Sequence, residues 1–161
     1  MTRIQIGVAL PIGLQTKHTL PAFTREVEAL RFDSIWVIDV LRSATQTIDC
    51  LTALSFMAAH SSSLRLGTSV FQLPLRNPVL TAKTLSSLDL LSAGRITFGV
   101  GIGQPASHIA FGCDPRTRGR RFEEGLVLLK ELWTRDSVTH RGEFYQLENY
   151  TLAPQPVQSP H

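Results

Sequence analysis

The fold of this chain is decided by the stretch Leu64–Gly103, which is LRLGTSVFQLPLRNPVLTAKTLSSLDLLSAGRITFGVGIG. Its first part, Arg65–Phe71, is β-branched and apolar with small residues between, which predicts a strand. Asn77 suits the N-cap of a helix, and Pro78 suits its first position, where no N–H is needed. Gly94 supplies the left-handed residue that commonly ends a helix. A strand, a crossover helix and another strand together predict a parallel β-α-β unit.

The helix within this unit carries apolar residues at helical spacing. The residues that we expect to form one buried stripe are Val79, Ala82, Leu85, Leu88 and Leu91.

The strand that follows, Ile96–Gly103, alternates large residues with Thr97 and the glycines Gly99, Gly101 and Gly103. Alternation sends the large residues to one face of a strand and the bare backbone to the other. Glycine weakens a strand, so three in register indicate that something approaches the backbone closely. The sequence leaves two interpretations equally open. The bare face either supports a flat ring system or packs against a neighbouring helix or strand.

The β-α unit is repeated along the chain. Four strand positions, Ile4, Ile35, Leu66 and Ile96, stand 31, 31 and 30 residues apart, which is the length of one βαβ unit. The predicted strands are Ile4–Leu10, Ser34–Ile38, Arg65–Phe71 and Ile96–Gly103. The predicted helices between the first three strands are Leu20–Phe32 and Ile48–Ala59, the latter capped by Thr47.

After Gly103 the pattern changes. We expect a loop with one short helical turn near Ile109, followed by a helix over Phe122–Trp133. The remaining elements are a hairpin of Ser137–His140 and Glu143–Tyr150, and an extended proline-rich tail, Ala153–His161. The chain is therefore predicted to be α/β, with about four parallel β-α units, a hairpin and a tail.

Composition excludes several classes of protein. The 161 residues suit one domain, and 43% apolar with 18% charged residues is ordinary for a globular protein. The net charge of +3 is too small to indicate nucleic acid, and no apolar run approaches the ~20 residues of a membrane span. The two cysteines are unpatterned, and the N-terminus lacks a signal peptide, so we expect a cytoplasmic location. No His/Cys spacing indicates a metal site.

Many separate stretches, in one order along the chain, carry a family resemblance. They are Phe32–Asp39, Leu64–Val70, Arg76–Val79, Leu88–Gly101, Arg118–Glu124, Leu132–Thr134, Gly142–Tyr145 and Pro154–His161. Together they resemble the luciferase-like monooxygenase family of flavin- and deazaflavin-dependent oxidoreductases. The resemblance is closest to the branch that uses coenzyme F-420.

The resemblance implies that residues 1–161 are one luciferase-like domain with the N-terminal half of a TIM-type (β/α)8 barrel. Such a barrel typically takes ~250 residues, so the domain is expected to be truncated relative to the family. It also implies coenzyme F-420 or FMN as cofactor and a small-molecule substrate, without identifying that substrate. Exposed strand edges predict a homo-oligomer.

The resemblance places cofactor contacts at the C-terminal ends of the strands. Ser69 and Val70 match the position of a non-prolyl cis peptide that backs the cofactor ring, and Asp39 matches an acidic residue near that ring. The full set of expected cofactor contacts is Asp39, Thr68, Ser69, Val70, Gly101, Gly103 and Gln104.

Two positions depart from relatives that carry acid or base groups there. Val40 stands where histidine is frequent, and Gln104 stands where some relatives have a catalytic glutamate. Two functions therefore stay open: an oxidoreductase that is incomplete as a catalyst in this form, and a non-catalytic half-barrel or subunit that needs a partner chain. His108, in the loop after the glycine-rich strand, is expected to be solvated.

Overall fold

The computed structural model describes residues 3–13, 15–41, 44 and 46–159. The chain divides into two compact units. The first comprises Met1–Phe71 and Arg95–Gly99, and the second comprises Gln72–Gly94 and Val100–His161.

The helices and strands are, in chain order, β1 (Gly7–Ala9), α1 (Thr19–Ala29), β2 (Ser34–Val37), α2 (Cys50–Ala58), β3 (Arg65–Thr68), β4 (Phe71–Gln72), α3 (Pro78–Leu91), β5 (Ile96–Thr97), β6 (Val100–Gly101), α4 (Pro105–Ala110), α5 (Arg118–Thr134), β7 (Val138–Arg141) and β8 (Gln146–Tyr150). Short 3-10 turns lie at Leu73–Leu75 and Pro115–Thr117. None of the helices in the described ranges is long and apolar enough to cross a membrane.

The first unit contains a four-stranded parallel sheet in the order β1-β2-β3-β5. Ile35 pairs with Leu66, and Leu66 pairs with Ile96, so the predicted repeat matches the register of these strands. The prediction for the first strand was wrong in register, because Val8 and not Ile4 pairs with Ile35. Ile4 lies before β1 and is 82% exposed. The parallel sheet predicted from the β-α spacing is confirmed.

Two helix boundaries in the first unit differ from the prediction. α1 ends at Ala29 because Arg31 takes a left-handed backbone with φ of 60°. Asp49, and not Thr47, caps α2, and its Oδ1 accepts from the backbone N–H of Leu51 at 3.1 Å and of Thr52 at 3.0 Å. A carboxylate at this place also interacts favourably with the helix dipole.

Glu28 ties the segment between α2 and β3 to α1. Its Oε1 accepts hydrogen bonds from the hydroxyls of Ser61 at 2.8 Å and Ser63 at 2.6 Å. The same oxygen accepts from the backbone N–H groups of Ser62 at 3.0 Å and Ser63 at 2.9 Å. The hydroxyls of Ser63 and Ser61, together with these N–H groups, lower the pKa of Glu28 to about 2.

The predicted strand Ile96–Gly103 is interrupted in the structure, which divides it into β5 and β6. Between them, the Gly99 carbonyl accepts from Thr68 Oγ1 at 2.8 Å and from the Phe71 N–H at 2.8 Å. A Cβ added to Gly99 would lie 2.3 Å from the Thr68 carbonyl oxygen. At Gly99 the close neighbour is therefore the backbone at the end of β3, which favours the interpretation of a neighbouring strand at this residue.

In the second unit, α3 begins as predicted, because Asn77 Oδ1 accepts from the N–H groups of Val79 at 2.9 Å and Leu80 at 3.2 Å. At the other end, the first left-handed residue after the C-cap Ser92 is Ala93 with φ of 54°, and the predicted Gly94 follows with φ of +77°. The buried stripe is confirmed at Ala82, Leu85 and Leu88 but not at Leu91, which is 81% exposed.

Asp89 is buried on α3 in place of an apolar residue. Its Oδ2 accepts from the N–H groups of Val157 at 2.8 Å and Gln158 at 3.1 Å, and its Oδ1 accepts from Gln158 Nε2 at 2.6 Å. The buried face of α3 is therefore partly polar because it holds the C-terminal tail.

The last helix and the hairpin are also tied by a carboxylate. α5 begins at Arg118, earlier than predicted, and the predicted hairpin is confirmed as β7 and β8. Glu124 accepts from the N–H groups of Tyr145 at 2.8 Å and Phe144 at 3.1 Å. Burial alone would raise the pKa of Glu124, but these backbone donors bring it below its usual value.

The Glu28 network predicts a specific loss of stability in acid. Glu28→Ala should lower the free energy of unfolding at neutral pH by about 1–2 kcal/mol, because four donors lose their acceptor. Because the folded-state pKa is depressed from 4.5 to about 2, this stabilisation is present above the ordinary pKa and is lost as pH falls towards the folded value. Urea unfolding over a pH series measures it. The exposed Glu26→Ala variant is the control, and identical pH slopes for wild type and Glu28→Ala would contradict the account.

The close approach at Gly99 predicts intolerance of the smallest side chain. Gly99→Ala should lower the free energy of unfolding by about 1–3 kcal/mol, because backbone must move to admit the methyl group. Gly119→Ala in α5 is the matched control, since nothing lies within 4 Å of its added Cβ. Thermal unfolding of the two variants tests this, and a Gly99→Ala protein as stable as wild type would contradict the contact.

Candidate functional site

The C-terminal ends of three strands are joined by hydrogen bonds in the first unit. Thr68, the last residue of β3, is 1% exposed and donates its hydroxyl to the Gly99 carbonyl after β5. The next residue, Ser69, donates its N–H to the Val37 carbonyl at the end of β2, at 2.9 Å. Four of the predicted residues, Asp39, Thr68, Ser69 and Val70, follow or end the strands at this edge of the sheet.

The Ser69–Val70 peptide bond is cis, as the resemblance implied, so this prediction is confirmed. The Val70 side chain is 49% exposed, whereas the next residue, Phe71, is fully buried. The Phe71 ring packs against Phe98 with 5.1 Å between centroids. Val70 is therefore an accessible apolar group on a firmly packed support.

Asp39 lies just beyond β2 and is buried, with 7% of its surface exposed. Its carboxylate belongs to a group that the sequence did not predict. Asp39, Asp49 and Cys50 each place a potential ligand atom within 4.8 Å of the others. Carboxylate and thiolate groups could bind a cation, although Asp49 Oδ1 already accepts the N-terminal N–H groups of α2. Asp39 lies ten positions before Asp49, and this spacing is not one that indicates a metal site, so the sequence did not predict the group.

A tryptophan occupies glycine-lined space on the sheet. A Cβ on Gly7 of β1 would lie 2.5 Å from Trp36 Nε1, and one on Gly67 of β3 would lie 2.5 Å from Trp36 Cζ3. The indole N–H donates to Ser34 Oγ at 2.9 Å. Glycines thus support a flat ring in this sheet, but the ring belongs to the protein and the glycines lie in β1 and β3. The alternation of Ile96–Gly103 could not have indicated them.

The other predicted residues lie in the second unit. Gly101 ends β6, and Gln104 is exposed immediately before α4. Gly103 has φ of +71°, and a Cβ there would lie 2.8 Å from Gln72 Oε1. Both the left-handed backbone and this contact explain the glycine at position 103.

The expectation of a solvated His108 was wrong. His108 is fully buried on α4, and its Nε2 lies 2.8 Å from the Ile102 carbonyl oxygen. Because a carbonyl only accepts, Nε2 carries the proton and donates. No described residue provides a hydrogen-bond partner for Nδ1. The imidazole therefore holds the turn from Ile102 to Gln104, a local role that the sequence analysis did not predict.

The predicted residues have little acid–base chemistry of their own. Of the seven, only Asp39 has an ionisable side chain, and the Thr68 hydroxyl is engaged by the Gly99 carbonyl. Backbone groups and short side chains at strand ends can bind and orient a ligand. They do not form the pair of nucleophile and base that covalent catalysis needs.

Comparison with known proteins agrees with this organisation. The family model described as luciferase-like monooxygenase matches residues 2–161. A relative from Kineococcus radiotolerans, named F420-dependent glucose-6-phosphate dehydrogenase, is 34% identical over 148 residues. The match covers 86% of this chain and 44% of the relative, so the chain spans less than half the length of that curated relative.

Solved structures show the same fold. The monooxygenase RslO1 from Streptomyces bottropensis has a TM-score of 0.90 and 23% identity, covering 98% of this chain and 51% of that one. The oxygenating constituent of 3,6-diketocamphane monooxygenase from Pseudomonas putida, in complex with FMN, has a TM-score of 0.80 and 16% identity, covering 91% and 43%.

The fold is thus the predicted α/β fold of the N-terminal half of a TIM-type barrel. Since the family model matches nearly the whole sequence, this chain belongs to the luciferase-like monooxygenase family.

Proposed function

We propose that this chain binds coenzyme F-420 or FMN and is part of a flavin- or deazaflavin-dependent oxidoreductase or monooxygenase, incomplete as a catalyst in this form. Family membership supports the proposal, as do the F420-dependent name of the Kineococcus radiotolerans relative and the FMN in the Pseudomonas putida structure. The bound cofactor would supply the hydride or oxygen chemistry, while the protein binds and orients it.

The observation that carries the proposal is the joined strand ends in the first unit. Ser69 N–H bonds to the end of β2, and the Thr68 hydroxyl bonds to the Gly99 carbonyl. Parallel α/β barrels bind their ligands at the C-terminal ends of the strands. The half-exposed Val70 offers an apolar surface for a flat ring at this edge.

We assign a role to each group on this edge. The Val70 side chain contacts the cofactor ring, and the backbone of Ser69 forms part of the surface beneath that ring. Thr68 positions Ser69 and Val70 through the hydrogen bond from its hydroxyl to the Gly99 carbonyl. Asp39 supplies the single ionisable side chain of the set. Gly101, Gly103 and Gln104, which lie in the second unit, stay predicted cofactor contacts on the basis of the family resemblance.

The remaining parts of the proposal concern the setting of the protein. We propose a small-molecule substrate, a cytoplasmic location, a homo-oligomer, and a single luciferase-like domain over residues 1–161 that is truncated relative to its family.

The alternative function, a non-catalytic half-barrel that needs a partner chain, is favoured by Val40 and Gln104, which are neutral where some relatives carry acid or base groups.

Titration with FMN and with coenzyme F-420 tests the function. We expect one of them to bind with a dissociation constant below about 1 mM, as seen by quenching of cofactor fluorescence. Val70→Arg should weaken binding at least about tenfold, or ~1.4 kcal/mol, because a long charged side chain replaces the apolar contact. Leu30→Arg is the matched control, since Leu30 is 64% exposed in the same unit.

Two results would contradict this proposal in different ways. If neither cofactor binds below about 1 mM, the cofactor function is wrong for this chain. If Val70→Arg binds as tightly as wild type, the function survives but the ring does not lie on Val70.

A further inference from the structure

A buried glutamine anchors the segment that leads into α2. β2 ends at Val37 and α2 begins only at Cys50, and a connection of this length needs contacts with other parts of the chain to fix it. Gln15, in the segment after β1, is 4% exposed, and its Oε1 accepts from the Ile48 N–H at 2.6 Å. This hydrogen bond joins the segments that follow two neighbouring strands of the sheet.

The backbone beside Gln15 is itself fixed to the start of α1. The Thr16 N–H donates to Thr19 Oγ1 at 3.0 Å, and the Thr19 N–H donates to Thr16 Oγ1 at 3.1 Å. The Leu20 N–H donates to the Thr16 carbonyl at 3.0 Å. Reciprocal bonds of this kind satisfy the free N–H groups at the start of a helix. Gln15 therefore presents its amide oxygen to Ile48 from an ordered part of the chain.

The anchored residue lies directly before the part of α2 that is close to Asp39. Asp49 follows Ile48 and caps α2, and Cys50, the first residue of α2, is fully buried. One side-chain ligand atom from each of Asp39, Asp49 and Cys50 lies within 4.8 Å of the other two. The surroundings of the Asp39 carboxylate therefore include the end of α2 that Gln15 anchors.

We propose that Gln15 is a positioning residue of the cofactor site, which holds the start of α2 against Asp39. The inference rests on the proposed function, because Asp39 is one of the predicted cofactor contacts. Gln15 acts through Ile48 and α2 and does not itself touch the cofactor. Both joined segments follow the C-terminal ends of strands, the edge at which parallel α/β barrels bind ligands. Gln15 and Ile48 are 33 positions apart, so their spacing did not indicate this role.

Amide hydrogen exchange in the protein without cofactor tests the anchor. Gln15→Leu keeps a side chain of similar size and removes the acceptor, so the Ile48 N–H should exchange at least about fivefold faster than in wild type. Gln15→Glu keeps an acceptor oxygen at the same place. In that variant the Ile48 N–H should exchange no faster than in wild type.

Thr24→Val is the matched control. Thr24 is fully buried on α1 in the same unit, and its hydroxyl donates to the Leu20 carbonyl at 2.7 Å. The substitution removes one buried hydrogen bond without changing the segment before α2. It should leave the exchange rate of the Ile48 N–H within about twofold of wild type.

Titration with FMN and coenzyme F-420 provides the second readout. Gln15→Leu should raise the dissociation constant of the cofactor that wild type binds at least about threefold, because the start of α2 is no longer held against Asp39. Thr24→Val should leave this constant unchanged. A residue that only stabilised the fold would affect binding in the same way as Thr24, so the comparison separates positioning from stability.

The outcomes distinguish this inference from the proposed function. Slow exchange of Ile48 in Gln15→Leu, or fast exchange in Gln15→Glu, would overturn the anchor. Equal dissociation constants for Gln15→Leu and Thr24→Val would overturn the positioning role. A wild type that binds neither cofactor would overturn the proposed function and the cofactor role of Gln15 with it. Exchange at Ile48 is measured without cofactor, so it would still decide whether Gln15 holds the start of α2.

Discussion

The structure depends most on the two hydrogen bonds that converge on the Gly99 carbonyl. The Thr68 hydroxyl and the Phe71 N–H each donate to it at 2.8 Å. These two bonds tie the chain that follows β5 to the end of β3 and the start of β4. Only glycine permits this approach, because a side chain at position 99 would meet the Thr68 carbonyl. The cis peptide between Ser69 and Val70 lies within the segment that these bonds hold.

The chemistry available at this edge follows from that constraint. The polar groups that hold the strand ends together, such as the Thr68 hydroxyl and the Gly99 carbonyl, are hydrogen-bonded to one another. The accessible group beside them is the apolar side chain of Val70. A site made in this way is suited to supporting an apolar ring and provides little acid–base catalysis. Under the proposed function, a bound cofactor would carry the reaction, because the predicted residues at this edge offer few acid or base groups.

Features set by local chemistry could be predicted from the sequence. Asn77 marks the start of α3 because capping depends on neighbouring residues, and the regular β-α spacing predicts the parallel strands. The cis peptide between Ser69 and Val70 was predicted from the family resemblance alone. Features set by distant contacts could not be predicted. The interruption at Gly99 depends on Thr68, and the burial of Asp89 depends on the tail.

The most direct test is a map of backbone amide chemical shifts in the 15N-labelled protein as FMN or coenzyme F-420 is added. The account predicts that the largest changes in the first unit occur at Ser69 and Val70, with little change in α1. Largest changes at the hairpin residues Gly142–Tyr145, or an unchanged spectrum with both cofactors, would contradict it.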